Sequence, residues 1–232
     1  MKILALILAR KNSERLPKKN LRILGHKPLI SWTIDLLKKI KHMDNILVST
    51  DSKKIQKVAL KSNVLCPKMR PKHLSGDKTT SEQSALYELR WYEKSYCKVD
   101  GLLLMQPTSP FIRPRDVSNC VKVMRGRDKW NSVQTVSLCP HQYHALNQRS
   151  LFNQQVAFIC PEERELSYNK QTKDKHYVFG NVVGCKTKFL LDGGEIFSEP
   201  SYGIVIPLVF AFDLDVEEDI VVAETIAKGL TT

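Results

Sequence analysis

An apolar run, Ile3 to Ala9, stops abruptly at Arg10 and gives way to a polar stretch carrying Ser13, Arg15, Lys18, Lys19 and Asn20. An amphipathic segment, Leu29 to Ile40, follows behind Pro28. Buried strand, polar loop and amphipathic helix in that order are how an α/β fold begins. Open α/β sheets bind ligands at the carboxyl ends of their strands, and a loop this basic at that place favours an anion. A plain solvated loop is the competing reading. No glycine occurs between Ala9 and Leu24, so the loop is neither a P-loop nor a G-x-G-x-x-G turn. A phosphate bound there must be gripped largely by side chains: Arg10, Arg15 and Lys19, assisted by the Ser13 hydroxyl and backbone N–H groups.

The remaining pattern alternates strand and helix, which implies right-handed crossovers and a mostly parallel, Rossmann-like sheet flanked by helices. Asn45 to Asp51 reads as a strand, Lys53 to Ser62 as a helix and Val64 to Cys66 as a short strand. From Arg70 the text turns polar, RPKHLSGDKTTSEQ, with a turn at Ser75-Gly76-Asp77. Thr80 or Ser81 then caps a helix running through Leu86, Leu89 and Tyr92. Its amino end either offers N–H groups to an anion or base carbonyl, or is simply capped. Gly101 to Pro110, GLLLMQPTSP, is a strand that delivers Gln106 to its end, where both ends of the amide can hydrogen-bond a ligand. Pro114 starts a helix, and Ser132 to Cys139 is a strand.

Between about 140 and 175 the periodicity loosens around the short run Val156 to Cys160, which predicts an insertion: a hairpin, an arm or a lid. His141 and His144 lack a third ligand nearby and are read as surface or hydrogen-bonding residues rather than metal ligands. Val178 to Val183, containing Asn181, resumes strand character, and Lys186 to Leu191 is a short helix. The chain closes with an apolar strand, the triplet Asp213-Leu214-Asp215, and a helix from about Glu217. On a strand the two carboxylates share a face, about 6–7 Å apart. Such a pair suits Mg²⁺, which binds one or two carboxylates plus substrate phosphates, although Asp215 could instead cap the last helix.

At 232 residues the chain suits one α/β domain spanning 1–232. Its net charge of +12 favours acidic ligands, but the basic residues are spread without interleaved aromatics or zinc-finger spacing, which argues against nucleic acid. The six cysteines lie far apart with no C-x-x-C pair, as expected of core thiols in a reducing cytoplasm. The apolar start is too short, and too quickly followed by charge, for a signal peptide, and no window is long enough to cross a membrane.

LARKNSERLPKKN resembles the A-R-x-x-S-[KR]-x-x-x-x-K-N signature of sugar-acid cytidylyltransferases, and RPKHLSGDKTTS, LLLMQPTSP and FDLDVEEDIVVAE resemble further blocks of that family in the same order. The resemblance covers nearly the whole chain and looks closest to the CMP-N-acylneuraminate (CMP-sialic acid) synthetases. It implies a nucleotidyltransferase sheet and transfer of CMP from CTP to the anomeric hydroxyl of a 2-keto-3-deoxy sugar acid, with Mg²⁺ and release of pyrophosphate. Carried over residue by residue, Arg10, Ser13, Lys19 and Asn20 hold the CTP phosphates and ribose. Arg70 and Ser81 contact the cytidine, and Gln106 the sugar acid. Asp213 and Asp215 bind the metal, with Asp213 as ligand or base. A homodimer in which the 140–175 segment packs across the partner is also implied.

Three departures bear on substrate. Glu14 stands where many relatives are basic, with Arg15 next to it able to compensate. Asn20 replaces a proline found in synthetases for the eight-carbon acid Kdo. Val178-Phe179-Gly180-Asn181-Val182-Val183 replaces an R-P-N-G-like run of the sialic enzymes, and only Asn181 aligns. An altered nine-carbon acid of legionaminic or pseudaminic type is therefore expected; the same reaction on Kdo and a non-catalytic nucleotide-binding homologue are the alternatives.

Overall fold

The computed structural model describes residues 1–41, 43–126, 129–166 and 173–231. In chain order it contains β1 (Ile3–Leu8), a two-residue pair β2 (Ile23–Leu24) and β3 (Lys27–Pro28), α1 (Leu29–Lys38), β4 (Asn45–Ser49), α2 (Lys53–Lys61), α3 (Ser81–Ser95), β5 (Gly101–Met105) and α4 (Pro114–Gly126). These are followed by β6 (Ser132–Leu138), the hairpin β7 (Arg149–Phe152) and β8 (Gln155–Phe158), α5 (Pro161–Leu166), β9 (Tyr177–Lys186), α6 (Thr187–Leu191), β10 (Ser201–Val205) and α7 (Glu218–Thr231).

Six strands form the central sheet in the order β10-β6-β9-β5-β1-β4. Alternation along β1 divides the core. Ile3, Ala5 and Ile7 pack with Ile30 and Ile34 of α1, Ile55 of α2 and Val117 and Val121 of α4. Leu4 and Leu6 face the other way, onto Ala85, Leu89 and Tyr92 of α3 and Leu190 of α6. Helices thus cover both faces, which is why β1 and β5 read as unbroken apolar runs. Each fully buried leucine or isoleucine contributes about 1.5–3 kcal/mol by leaving water.

The sheet is mostly parallel, with one exception. β9 runs antiparallel to both β5 and β6 and lies between them. Its pairing with β6 shifts register between Gln134 and Val136, opposite Gly180 and Asn181. A Cβ at Gly180 would come within 2.7 Å of Thr135 Oγ1, so only glycine fits there, and Asn181 takes the left-handed conformation at φ 70°. The strand expected at Val64 to Cys66 reduces to a single parallel bridge between Leu47 and Leu65 at the edge of the sheet.

The expected closing strand is also shorter than its apolar text. It ends at Val205; Pro207, which has no N–H to donate, then leads into a short 3-10 turn, Leu208–Ala211. Asp213 and Asp215 consequently sit on irregular chain rather than on alternate positions of a strand. Asp215 does not cap the last helix either. Asp219, in the first turn of α7, accepts from the backbone N–H of Asp215 at 2.6 Å and of Val216 at 2.9 Å.

The irregular segment from about 140 forms two 3-10 turns, the β7–β8 hairpin and α5, with residues 167–172 of the expected insertion outside the described residues. Its root is ordered by hydrogen bonds. His144 is buried, its Nε2 lies 3.0 Å from the Asp174 carbonyl, its Nδ1 accepts from Leu146 N–H, and its ring stacks on His176. All six cysteines are unpaired, and burial pushes the Cys66 thiol up to about 11 and those of Cys120 and Cys185 to about 12. No helix among the described residues is long and apolar enough to cross a membrane.

Candidate active site

The loop after β1 lies at the carboxyl edge of the sheet, beside the segment after β5. Its shape is set without glycine: Lys18 adopts the left-handed conformation at φ 56° and starts the 3-10 turn Lys19–Leu21. Asn20 is buried and donates its amide to the Arg10 carbonyl at 2.8 Å, which ties the two ends of the loop together. The cations are thereby presented from a braced backbone.

Two adjoining compartments open above this edge. The first, about 370 Å³, is lined by Arg10, Ser13, Arg15, Lys19 and Asn20 from the loop, by Gln106 and Thr108, and by Asp215. The second, about 250 Å³, is lined by Arg70, the Ser75-Gly76-Asp77 turn, Thr80, Ser81 and Ser84. Leu8, Arg10, Asp77 and Gln106 line both.

In the first compartment the cations face a carboxylate. Lys19 Nζ donates to Asp215 Oδ1 at 2.8 Å, and Arg15 Nη2 lies 3.1 Å from Asp215 Oδ2. The Lys19 hydrogen bond, reinforced by the charges of Lys19 and Arg15, holds the Asp215 carboxyl below its ordinary 3.8 despite partial burial. Because the folded value is depressed, this pairing stabilises the fold above the ordinary carboxylate range and is lost as pH falls through the lowered value. Asp213 accepts from the Ser109 hydroxyl at 2.9 Å, and Leu214 N–H donates to the Thr108 carbonyl. The turn after β5 thus fixes the Asp213–Asp215 segment. Thr108 Oγ1 is buried and has no hydrogen-bond partner in the structure.

The second compartment has a buried cation at its wall. Arg70 is 6% exposed, and its Nε has no hydrogen-bond partner in the structure. Burial draws its pKa below the usual arginine range, Asp51 and Glu88 oppose that, and Arg10 adds to it. Behind it Glu88, also buried, accepts from Ser49 Oγ at 2.8 Å and pairs with Lys68 at 3.1 Å. Opposite stands the amino end of α3, closed by a reciprocal capping box in which Thr80 accepts from Gln83 N–H while Gln83 accepts from Thr80 N–H. Arg10 and Asp77 form an ion pair across the boundary between the compartments.

Arg10, Ser13, Arg15, Lys19, Asn20, Arg70, Ser81, Gln106 and Asp215 are thus brought to one cleft. Asp213 is adjacent but turned to Ser109. Asn181 is not among the lining residues; its amide donates to the Ala211 carbonyl at 2.8 Å, behind the carboxylate segment. Asp77 and Thr108 were missed as site residues. Both sit in turns whose Ser/Gly/Asp and Pro/Thr/Ser text reads only as turn chemistry.

A family model described as cytidylyltransferase matches residues 4–173. The chain is 29% identical over 230 residues to a CMP-N,N'-diacetyllegionaminic acid synthase of Legionella pneumophila, covering 98% of this chain and 97% of the relative. It is 27% identical to N-acylneuraminate cytidylyltransferase A of Danio rerio, covering 96% of this chain and 50% of that protein. Among solved structures, CMP:2-keto-3-deoxy-manno-octonic acid synthetase complexed with CTP superposes with a TM-score of 0.71 at 15% identity, covering 100% of this chain and 99% of the other, a likeness of fold. With the family model matching well over half of its length, the chain belongs to the cytidylyltransferase family.

Proposed function

We propose that this protein transfers CMP from CTP to the anomeric hydroxyl of a nonulosonic acid and releases pyrophosphate. The observation that carries the reading is the cleft itself: a side-chain cation clamp facing Asp215 on one side, and a compartment with a buried, partly unpartnered arginine on the other. The triphosphate fits the first compartment, where Arg10, Arg15 and Lys19 would take up its charge. The cytosine fits the second. Its O2 and N3 are acceptors, matched by the donor-only guanidinium of Arg70.

In the reaction the sugar hydroxyl oxygen bonds to the α-phosphorus, the bond to the bridging oxygen breaks, and pyrophosphate carries away the electron pair while the hydroxyl gives its proton to water or to a carboxylate such as Asp213. Such a transfer needs positioned positive charge above all. Lys19 and Arg15 meet the charge that develops on the departing phosphates. Gln106, at the mouth of both compartments, can hold the incoming sugar acid. Mg²⁺ would be held by Asp215, with Asp213 as the second carboxylate, and would neutralise phosphate charge when bound. The donor set fits that ion: hard oxygens from Asp215 and the unpartnered Thr108 hydroxyl. Among the described residues no group of three or more His, Cys, Asp or Glu could hold a metal on its own, so phosphate oxygens would complete its shell.

The legionaminic relative, matched along 97% of its length, and the altered Val178 to Val183 text support a nine-carbon acid of that class. Pyrophosphate release with CTP and Mg²⁺ across a panel of N-acylneuraminic, legionaminic, pseudaminic and Kdo acids tests the assignment. Activity with one nine-carbon acid and little with Kdo is expected. CTP binding without turnover of any acid would replace it with a nucleotide-binding role.

We also infer a homodimer formed through the β7–β8 arm, which leaves Leu151 72% and Phe152 76% exposed. Apolar side chains so exposed on one projection need a covering surface. Light scattering should give twice the chain mass, and Phe152→Asp should shift it towards one. Six unpaired thiols support a reducing, cytoplasmic setting.

A further inference from the structure

We propose that Asp77 is the residue that recognises the ribose of the nucleotide and so selects ribonucleotide over deoxyribonucleotide. The inference rests on the assignment of the cleft to CTP. If the base occupies the compartment of Arg70 and Ser81 and the triphosphate that of Lys19 and Asp215, the ribose must span their boundary. Among the described residues, only Leu8, Arg10, Asp77 and Gln106 line both compartments. Leu8 is apolar and Arg10 can only donate, so Asp77 is the one anionic acceptor at the junction. Ribose hydroxyls are donors, and a carboxylate is the group that dinucleotide-binding sheets use to hold them.

The ion pair with Arg10 leaves capacity for this. It engages Asp77 Oδ1 with Arg10 Nη1, and a carboxylate offers about four acceptor positions over its two oxygens. Asp77 is more than half exposed at the tip of its turn, so nothing in the core depends on it. A carboxylate also opposes a triphosphate by like charge. Its place at the rim of a phosphate site therefore carries a cost in nucleotide affinity, which a bond to the hydroxyls offsets and a mere tether on Arg10 would not.

The test is titration of the full chain with CTP, 2'-deoxy-CTP and 3'-deoxy-CTP in the presence of Mg²⁺, for the wild type, Asp77→Ala and Asp77→Asn. The wild type should bind CTP at least about tenfold more tightly than one of the deoxy analogues, the ratio expected for a hydrogen bond to a charged group. Asp77→Ala should bring that ratio close to one. Asp77→Asn, which keeps one acceptor oxygen without the charge, should fall between. Loss of the Arg10 tether alone would weaken all three nucleotides equally and leave the ratio unchanged, and that result overturns the proposal. A wild type that binds CTP without discriminating either analogue overturns it as well. Absence of CTP binding in the wild type removes the nucleotide assignment itself, and the proposal with it. Thermal melting of each variant checks that the fold is retained.

Discussion

Asp215→Ala should lower pyrophosphate release by about two to three orders of magnitude, the effect of removing one preorganised electrostatic group from a transfer site. Binding should move the other way. Asp215 pairs with both Lys19 and Arg15, and a triphosphate entering that compartment would have to compete with it for them. Removing the carboxylate leaves two cations unopposed, so CTP without Mg²⁺ should bind as well as before or more tightly. The two readouts together separate a catalytic loss from misfolding, which would depress both. Single-turnover pyrophosphate release and calorimetric titration of CTP check this. Unchanged turnover would remove Asp215 from the site.

Arg70→Ala should raise the apparent Kd for CTP about 10- to 150-fold, corresponding to about 1.5–3 kcal/mol for hydrogen bonds from a charged donor. The guanidinium is buried at the compartment wall with its Nε unpartnered, a cost that binding of a base as proposed would relieve. Truncation also strips a counter-charge from the neighbourhood of Glu88, leaving Lys68 and Ser49 to hold it, so a lower melting temperature is expected too. Arg70→Lys should not restore affinity, since an ammonium cannot reproduce two donors in a plane. A lysine variant that binds CTP like the wild type would argue that Arg70 supplies charge alone.

The text of the chain carried much of this site because the site is built where strong local patterns end. Ile3 to Ala9 is apolar without a break because helices cover both faces of β1, and the cationic loop follows directly. Leu102 to Met105 delivers Gln106 in the same way. Features that depend on non-local pairing were not legible. Nothing in Val178 to Val183 says that β9 enters the sheet antiparallel between β5 and β6, because an apolar run buried on both faces reads the same in either direction. The Asp213–Asp215 segment was read as strand from its apolar lead-in. Its true anchors, Thr108, Ser109 and Asp219, come from elsewhere in the sequence or from the next helix. Asp77 was hidden because a Ser-Gly-Asp turn looks the same whether or not its carboxylate faces a ligand.

The glycine-free loop after β1 has a consequence for how such a protein changes over generations. A phosphate grip made of backbone amides depends on the path of the chain, so most side-chain substitutions act on it only indirectly. On the proposed reading the grip would belong to Arg10, Arg15 and Lys19, set on a backbone braced by Asn20 and turned by Lys18. Each contact can be retuned by one substitution without redrawing the chain path. If the proposed clamp holds, nucleotide affinity would be open to adjustment in small heritable steps while the sheet beneath stays as it is.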